Sequence, residues 1–153
     1  PGAFRSIAYQ MPAGPSSIRV FHTGSTSAYD PATQGAVYTL DFALDCNRLS
    51  TSTVGEVDAT PAFEQGGRWF APRQWSSACA PAWVSIRVSS LRADDLTLLA
   101  GPACAVYEAC PDFSAGAAPL RFGFVSGVTL PSGAVAGAIT QGIDNWSVTV
   151  WKR

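Results

Sequence analysis

The sequence predicts an all-β protein, an antiparallel two-sheet sandwich of the jelly-roll type. Short segments in which apolar and polar residues alternate recur along the chain, and Gly, Pro and Asp separate them. Helical periodicity is nearly absent, and Leu91–Leu96 has the pattern of one helical turn at most. With 153 residues, 47% of them hydrophobic, the chain can bury a sizeable core. We therefore expect residues 1–153 to form a single domain.

The C-terminal segment, Ile139–Arg153, has the clearest strand pattern at either end of the chain. Gly142 indicates a turn, and from Trp146 apolar side chains occupy every second position up to Val150. This is the pattern of a half-buried strand with one apolar face. We expect it to pair inside a sheet and to close the sandwich.

The remaining strands are expected between turn signals. They are Phe4–Met11, Ile18–Thr23, Val37–Cys46, Gly55–Glu64, Trp69–Ala71, Trp83–Val88, Leu96–Leu99 and a penultimate strand led by Leu120, Phe122 and Phe124. Pro61 predicts an edge or a bulge, because proline cannot donate to the ladder. The segments 24–35 and 101–119 are rich in turn residues and are predicted as loops.

The strand Val37–Cys46 alternates most regularly. Its even-numbered residues from Tyr38 onward are apolar, and its odd-numbered residues include Asp41 and Asp45. A slip of one residue would bury two aspartates, so the register is strongly determined. We expect the aspartates to pair with Arg87 or Arg121 across the sheet, the alternative being a catalytic or calcium constellation.

Charge and hydropathy exclude several classes of function. Charged residues make up only 14% of the chain, and the net charge is −1. The chain therefore has no basic field that would attract nucleic acid or an anionic membrane. It contains no apolar run long enough to span a bilayer and no signal-peptide pattern at its start.

Four cysteines are present, at positions Cys46, Cys79, Cys104 and Cys110. An even number, together with a single lysine, favours an oxidising, extracytoplasmic setting. We expect a Cys104–Cys110 disulfide, because the two residues are close in sequence, and a Cys46–Cys79 disulfide from the other pair. Four free thiols are the alternative, and zinc is disfavoured because no Cys-x-x-Cys pair is present.

Several motifs together resemble a family of bacterial extracellular domains with a fold similar to the concanavalin A-like lectin/glucanase jelly roll. These motifs are Pro1-Gly2, Tyr29–Ala32 before the strand with Asp41, Pro111–Ser114 leading to Phe122–Phe124, and Gly142–Trp146. The resemblance covers most of the chain. It implies a jelly-roll fold and a secreted or cell-surface location, and it implies no particular reaction.

The residue patterns do not favour an enzyme. Glu56 and Asp58 have the i, i+2 spacing that places two carboxylates on one face of a strand, but the further glutamate of the glucanase pattern is replaced by Thr60 or Pro61. His22, the only histidine, shares a phase with apolar neighbours and is predicted to be a core imidazole. No G-x-S-x-G, P-loop or Rossmann motif is present. We therefore predict no catalytic residues.

No cofactor is predicted, although a structural calcium ion remains open. Asp30, Asp112, Asp144 and Asn145 lie in or beside loops and offer the oxygen ligands that calcium prefers. The alternative is that these side chains cap backbone groups in turns.

Aromatic residues outside the core phase give the functional hypothesis. We predict a non-catalytic carbohydrate-binding module that uses Tyr29, Arg73, Trp75 and Tyr107 as ligand contacts, because sugars stack on exposed aromatic rings and bond to nearby polar groups. The alternative is a structural or adhesive subunit of a surface or filament, which acts through protein–protein contacts. These contacts include those of a homo-oligomer. In that case exposed aromatics such as Trp151 would lie in an interface.

Overall fold

The computed structural model describes residues 3–50, 55–73, 78–105 and 110–153, and for residues 25–27 it describes the backbone alone. Within these ranges the chain forms strands, one short helix and one 3₁₀ turn over Ala93–Asp95. In chain order the elements are β1 (Arg5–Met11), β2 (Ser16–Tyr29), α1 (Pro31–Gln34), β3 (Val37–Arg48), β4 (Glu56–Gln65), β5 (Arg68–Pro72), β6 (Val84–Leu91), β7 (Leu96–Ala100), β8 (Leu120–Leu130) and β9 (Gly137–Lys152).

The strands form two antiparallel sheets, as the alternation predicts. The four-stranded sheet has the order β1-β9-β3-β6, and the five-stranded sheet has the order β2-β8-β4-β5-β7. The chain crosses repeatedly between the sheets, and the last two strands return to lie beside the first ones. This is a jelly roll with β7 added outside β5. The predicted fold class is therefore confirmed.

The space between the sheets holds the core. One cluster surrounds Phe124, Leu44 and Ile143, and a second surrounds Phe63, Phe122 and Leu40. Trp146 packs against both clusters, and its indole nitrogen donates to the carbonyl oxygen of Gly123 at 3.1 Å. Because Trp146 contacts both clusters, its side chain joins the two halves of the core.

The turn predicted at Gly142 is wrong, because β9 passes through this position without interruption. Gly142 pairs with Ser6 on one side and with Asn47 on the other. A Cβ atom there would lie 3.0 Å from Trp83, 3.2 Å from Phe4 and 3.3 Å from Leu49. The glycine is needed because these three side chains cover its outer face, and it does not reverse the chain.

The irregularity in β9 lies instead at Asn145. This residue has a φ of 48°, and the register with β3 shifts between Ala43 and Asp45. A left-handed residue inserted into an antiparallel pair is the geometry of a bulge. After the bulge Trp146 faces the core, as predicted.

The predicted phase of β3 is wrong at its first residues. The register with β9 shifts between Val37 and Thr39, so both of these residues are buried while Tyr38 is 44% exposed. From Leu40 onward the predicted inward residues are buried. An irregularity at the strand entrance cannot be read from alternation, because one extra residue reverses the phase.

The loop predicted over 24–35 is wrong in its first half. Strand β2 continues to Tyr29, and α1 follows directly. Asp30 caps this helix, since its Oδ1 accepts a hydrogen bond from the backbone nitrogen of Ala32 at 3.0 Å. Pro31 occupies the first helical turn, where a missing N–H costs nothing.

Pro61 lies in β4, which has neighbours on both sides. It pairs in register with Phe124 of β8, but the pairing of β4 with β5 covers only Phe63–Gln65. At Pro61 the strand is therefore free of a β5 partner. This agrees with the predicted local edge.

The two disulfides are Cys46–Cys79 and Cys104–Cys110, which is the expected pairing. Cys46 and Cys79 are both buried in the core. The amide of Gln65 anchors the segment after Cys110, donating to the carbonyl oxygens of Asp112 at 2.7 Å and Ala118 at 2.9 Å. The segment predicted as a loop thus has no strand in its described part but is tied to β4.

No helix within the described ranges has the length and apolar character needed to cross a membrane.

Candidate functional site

The outer face of the five-stranded sheet carries the strongest candidate site. Strand alternation sends Phe124, Ser126 and Val128 of β8 into the core, and therefore sends Val125 and Gly127 outward. The same alternation applies to the neighbouring strands. The outward residues of five strands therefore form one continuous surface.

An aromatic pair lies on this surface. Phe21 of β2 and Trp69 of β5 have ring centroids 4.5 Å apart, at an interplanar angle of 45°. Strands β8 and β4 separate the two residues, and the rings meet because the intervening outward positions include Gly123 and Ala62. Both aromatic side chains are half-buried, so part of each ring is accessible.

The rings rest on an apolar floor. Ala62, Ala71 and Val125 are buried here, and Phe21, Trp69 and Leu99 pack against them. The floor holds the two rings in place without help from a flexible loop. A rigid aromatic surface is the kind of group that contacts the apolar face of a ring-shaped ligand.

A polar groove of about 380 Å³ adjoins the aromatic pair. Its walls carry the charged side chains of Arg19, Glu56, Asp58 and Arg73, with the hydroxyl of Thr60 on the same side of β4. The groove thus offers carboxylate acceptors and guanidinium donors at short range. Ligand pockets are typically of this size and combine apolar walls with few polar groups.

The carboxylate of Asp58 is a partly buried group on the groove wall. Burial raises its pKa, Arg19 lowers it, and the negative charge of Glu56 raises it. Asp58 lies opposite Gly127 in the β4–β8 pair, and a Cβ atom on Gly127 would lie 2.6 Å from Asp58 Oδ1. The missing side chain at position 127 therefore makes room for the carboxylate.

Arg73 lies at the groove wall, in a fixed position. Its backbone nitrogen donates to the carbonyl oxygen of Asp95 at 2.7 Å, and its Nη2 donates to that of Leu96 at 3.2 Å. The guanidinium is thus held against the end of β7. Of the ligand contacts expected from sequence, Arg73 is the one that the structure places in the groove.

The expectation for Tyr29 needs correction. Its side chain is 6% exposed, packs in the core and donates through its hydroxyl to the carbonyl oxygen of Gly35 at 2.7 Å. A ring with both faces buried cannot stack on a ligand, so Tyr29 is a core residue. Trp75 and Tyr107 lie outside the described residues, and their roles stay predictions.

The sequence reasoning did not select Phe21, Trp69 and Arg19. The alternation along β2 contained the signal for two of these residues. Ile18, Val20 and His22 face the core, so Arg19 and Phe21 between them face outward. The meeting of Phe21 with Trp69 was not visible, since it depends on the order of four strands in one sheet.

His22 is a core imidazole, as predicted. It is 8% exposed, stacks on Phe124 with centroids 4.7 Å apart, and its Nε2 lies 2.8 Å from Ser126 Oγ. Ser126 is fully buried and also bonds to the hydroxyl of Tyr9. This serine and histidine resemble part of a hydrolytic triad only in their side-chain types, because no substrate can reach the serine.

The expected pairing with arginines is wrong for Asp41, and for Asp45 it is present only as a charge interaction with Arg87. Asp41 accepts from the indole nitrogen of Trp151 at 2.8 Å, and Asp45 accepts from Asn145 Nδ2 and Ser85 Oγ, both at 2.6 Å. These bonds, with a contribution from Arg87, lower the pKa of Asp45. Arg121 belongs to β8, in the opposite sheet.

The loop oxygens considered for calcium serve the backbone or neighbouring side chains. Asp112 Oδ1 accepts from the nitrogen of Ser114 at 2.8 Å, and Asp144 Oδ1 accepts from the nitrogen of Asn145 at 2.8 Å. Within residues 3–50, 55–73, 78–105 and 110–153, no three His, Cys, Asp or Glu side chains are grouped to hold a metal ion. The expectation of no cofactor, with a structural calcium ion as the open alternative, is not tested by this finding.

Comparison with known proteins gives a distant structural similarity, which carries no argument about fold or function. No protein-family model and no curated protein matches the chain. Among solved structures, the chain is similar to one titled "CBM4 structure and function", with a TM-score of 0.39 and 15% sequence identity. The match covers 99% of this chain and 90% of that one.

Proposed function

We propose that this chain is a non-catalytic carbohydrate-binding module that holds a glycan on the outer face of its five-stranded sheet. One observation carries the proposal: the Phe21–Trp69 ring pair lies beside a groove whose walls carry both carboxylates and guanidinium groups. Sugars present an apolar ring face and a rim of hydroxyl groups. The rings match the first feature, and the charged side chains match the second.

The groups in the groove suit binding better than catalysis. Asp58 and Glu56 lie on one face of β4, as their spacing predicted, and both can accept hydrogen bonds from hydroxyl groups. Arg19 and Arg73 can donate to ring and hydroxyl oxygens. A glycosidase of the glucanase pattern needs a further glutamate on the same strand, whereas the positions where it would stand hold Thr60 and Pro61.

An extracellular location belongs to the same proposal. The disulfides Cys46–Cys79 and Cys104–Cys110 are of the kind that persists in oxidising compartments. Glycans on cell surfaces or in the surrounding matrix are the matching ligands. A bacterial source and a place in a larger secreted protein are part of this hypothesis.

The test is binding to a panel of soluble glucans, xylans and mannans, measured by affinity electrophoresis and calorimetry. We expect at least one polysaccharide to bind and Trp69→Ala to weaken that binding at least tenfold, since buried tryptophans dominate contact energies. Trp151→Ala is the matched control, because Trp151 is 53% exposed on the opposite sheet. Equal losses in both variants, binding to none of the glycans, or release of reducing ends would each contradict the proposal.

A structural or adhesive subunit is the second candidate. The outer face of the four-stranded sheet exposes Trp83 by 44% and Trp151 by 53%, and Phe4 stacks edge-on against Trp83 at 5.4 Å. Exposed aromatic residues are enriched in protein interfaces. Concentration-dependent association in sedimentation velocity, abolished by Trp83→Ala and unaffected by Trp69→Ala, would favour this candidate.

A further inference from the structure

A second cavity, which we call the edge pocket, opens at one side of the sandwich between the first strands of the two sheets. It has a volume of about 300 Å³ and is lined by Phe4, Arg5, His22, Phe124, Asp144 and Trp146, among others. It is separate from the outer-face groove, because His22 faces the core side of β2 whereas Arg19 and Phe21 face outward.

Two walls of the edge pocket are held in place by packing and hydrogen bonding. The imidazole of His22 stacks on Phe124 at 4.7 Å, and the guanidinium carbon of Arg5 lies 6.0 Å from the centroid of the same ring. Trp146 is fixed by its hydrogen bond to Gly123. The pocket is therefore preformed, which lowers the entropy cost of binding.

The buried hydrogen bonds determine the tautomer of His22. Ser126 Oγ is bonded both to Tyr9 and to His22 Nε2. If Nε2 carried the proton, the hydroxyl proton of either Ser126 or Tyr9 would be left without an acceptor in the described part of the structure. The Tyr9 hydroxyl therefore donates to Ser126, Ser126 donates to Nε2, and the proton of the imidazole is on Nδ1.

This Nδ1–H group is available to a ligand. Nδ1 has no hydrogen-bond partner among the described residues, and it is not among the fully buried polar atoms that lack one. Burial, followed by the charge of Arg5, lowers the pKa of His22 to about 4, so the ring is neutral at physiological pH. The imidazole is thus a neutral donor on the wall of the pocket.

The charges at the pocket balance. Arg5 forms no ion pair within the described ranges, and Asp144 uses only Oδ1, which accepts from the nitrogen of Asn145. One guanidinium and one carboxylate leave the pocket without net charge. It offers two kinds of donor, one acceptor and apolar rings, within a volume at the lower end of ligand pockets.

We propose that the edge pocket is a second binding site, which takes a single neutral sugar ring. The ring would lie against Trp146, and its hydroxyl groups would accept from Arg5 and His22 Nδ1 and donate to Asp144. The outer-face groove is open and suits a chain, whereas the edge pocket suits one terminal unit or a free monosaccharide.

The experiment uses the single histidine as its reporter. A long-range ¹H–¹⁵N spectrum of the imidazole assigns the tautomer, and titration with glucose, galactose, mannose and xylose follows the Nδ1 signal at neutral pH. We expect the Nδ1–H tautomer in the free protein and a saturable shift of its signal with at least one of these sugars. The Nε2–H tautomer, or no shift with any of them, would overturn the proposal.

Variants separate this site from the groove. Arg5→Ala should weaken the monosaccharide titration roughly tenfold or more, because it removes a charged donor. Arg87→Ala is the matched control, since Arg87 is exposed on β6 and lines neither cavity. Trp69→Ala should leave the His22 shift intact. If Trp69→Ala abolishes the His22 shift and Arg5→Ala preserves it, the sugar binds in the groove. Glucuronate is titrated in the same way, and a shift caused by glucuronate alone would exclude a neutral ligand.

Discussion

Asp58 and Gly127 lie opposite each other on β4 and β8, and the carboxylate of one occupies the space that a side chain on the other would fill. A Cβ atom at position 127 would be 2.6 Å from Asp58 Oδ1 and 3.3 Å from Arg19 Cγ. One small residue in the middle of a sheet thus leaves space for a carboxylate and for the side chain of an arginine in the same groove. Several predictions about the groove and the core depend on such close approaches.

Gly127→Ala should weaken glycan binding several-fold and reduce stability by about 1 kcal/mol. The added methyl group displaces the Asp58 carboxylate, which is the flexible partner, and leaves the sheet pairing intact. Gly137→Ala is the control, because a Cβ atom at that strand position meets nothing within 4 Å. Affinity electrophoresis and thermal melts of both variants measure the two effects, and unchanged binding by Gly127→Ala would exclude Asp58 from the site.

Gly123→Ala should be far more damaging, by more than about 3 kcal/mol. A Cβ atom at position 123 would overlap the backbone carbonyl oxygen of His22, and backbone atoms cannot move aside as a side chain can. Urea unfolding of Gly123→Ala beside Gly137→Ala tests this. A variant as stable as the control would show that β2 and β8 approach less closely than described here.

Acidification should destabilise the protein through His22. Its pKa is about 4 in the folded protein and about 6.5 in an unfolded chain, so its contribution is complete above pH 6.5 and is lost as the pH falls towards 4. The free energy of unfolding should decrease by about 2 kcal/mol between pH 7 and pH 4.5. Urea titrations at both pH values measure the decrease.

The control for this pH effect is His22→Phe, which keeps an aromatic ring beside Phe124 and removes the titrating group. Asp58 acts with the opposite sign, because its pKa is raised in the folded state and acidification therefore stabilises that state. Asp58→Asn removes this opposing contribution. If His22→Phe loses as much stability on acidification as the parent protein, another group is responsible.

The two disulfides should contribute unequally. Cys46–Cys79 spans 33 residues and Cys104–Cys110 spans 6, so loop-closure entropy predicts contributions of about 4 and about 2 kcal/mol. Replacing Cys46 and Cys79 would also remove packing contacts in the core. Double Cys→Ala variants of each pair, compared by urea unfolding, measure the difference. Equal losses, or a greater loss from the shorter loop, would contradict this order.

The sequence could predict elements wherever the alternation is regular. Leu40–Cys46 of β3 and Val148–Val150 of β9 have the predicted faces, because burying one side of a strand determines each side chain's direction. It failed at Tyr38 and at Gly142. At Tyr38 a register shift reverses the alternation of buried and exposed residues. At Gly142 the glycine is required by the close approach of three side chains that are distant in sequence, and not by a turn.

The candidate sites were less predictable than the fold. Arg73, expected as a ligand contact, lies in the groove wall, and its contact with a ligand stays a prediction. Tyr29 was expected on the surface, but its ring is buried. Phe21 and Trp69 could not be paired, because they are 48 positions apart in sequence and two strands separate them in the sheet. The edge pocket likewise combines residues from β1, β2, β8 and β9.

The amino-acid sequence by itself determined that the chain forms antiparallel strands and that one face of each is buried. These properties depend on residues near each other in the chain and on the period of two in an extended backbone. Only the tertiary structure decided which strands are neighbours, and therefore which outward side chains share a surface. Strand order depends on how all the apolar faces pack together at once, and no local pattern contains that information.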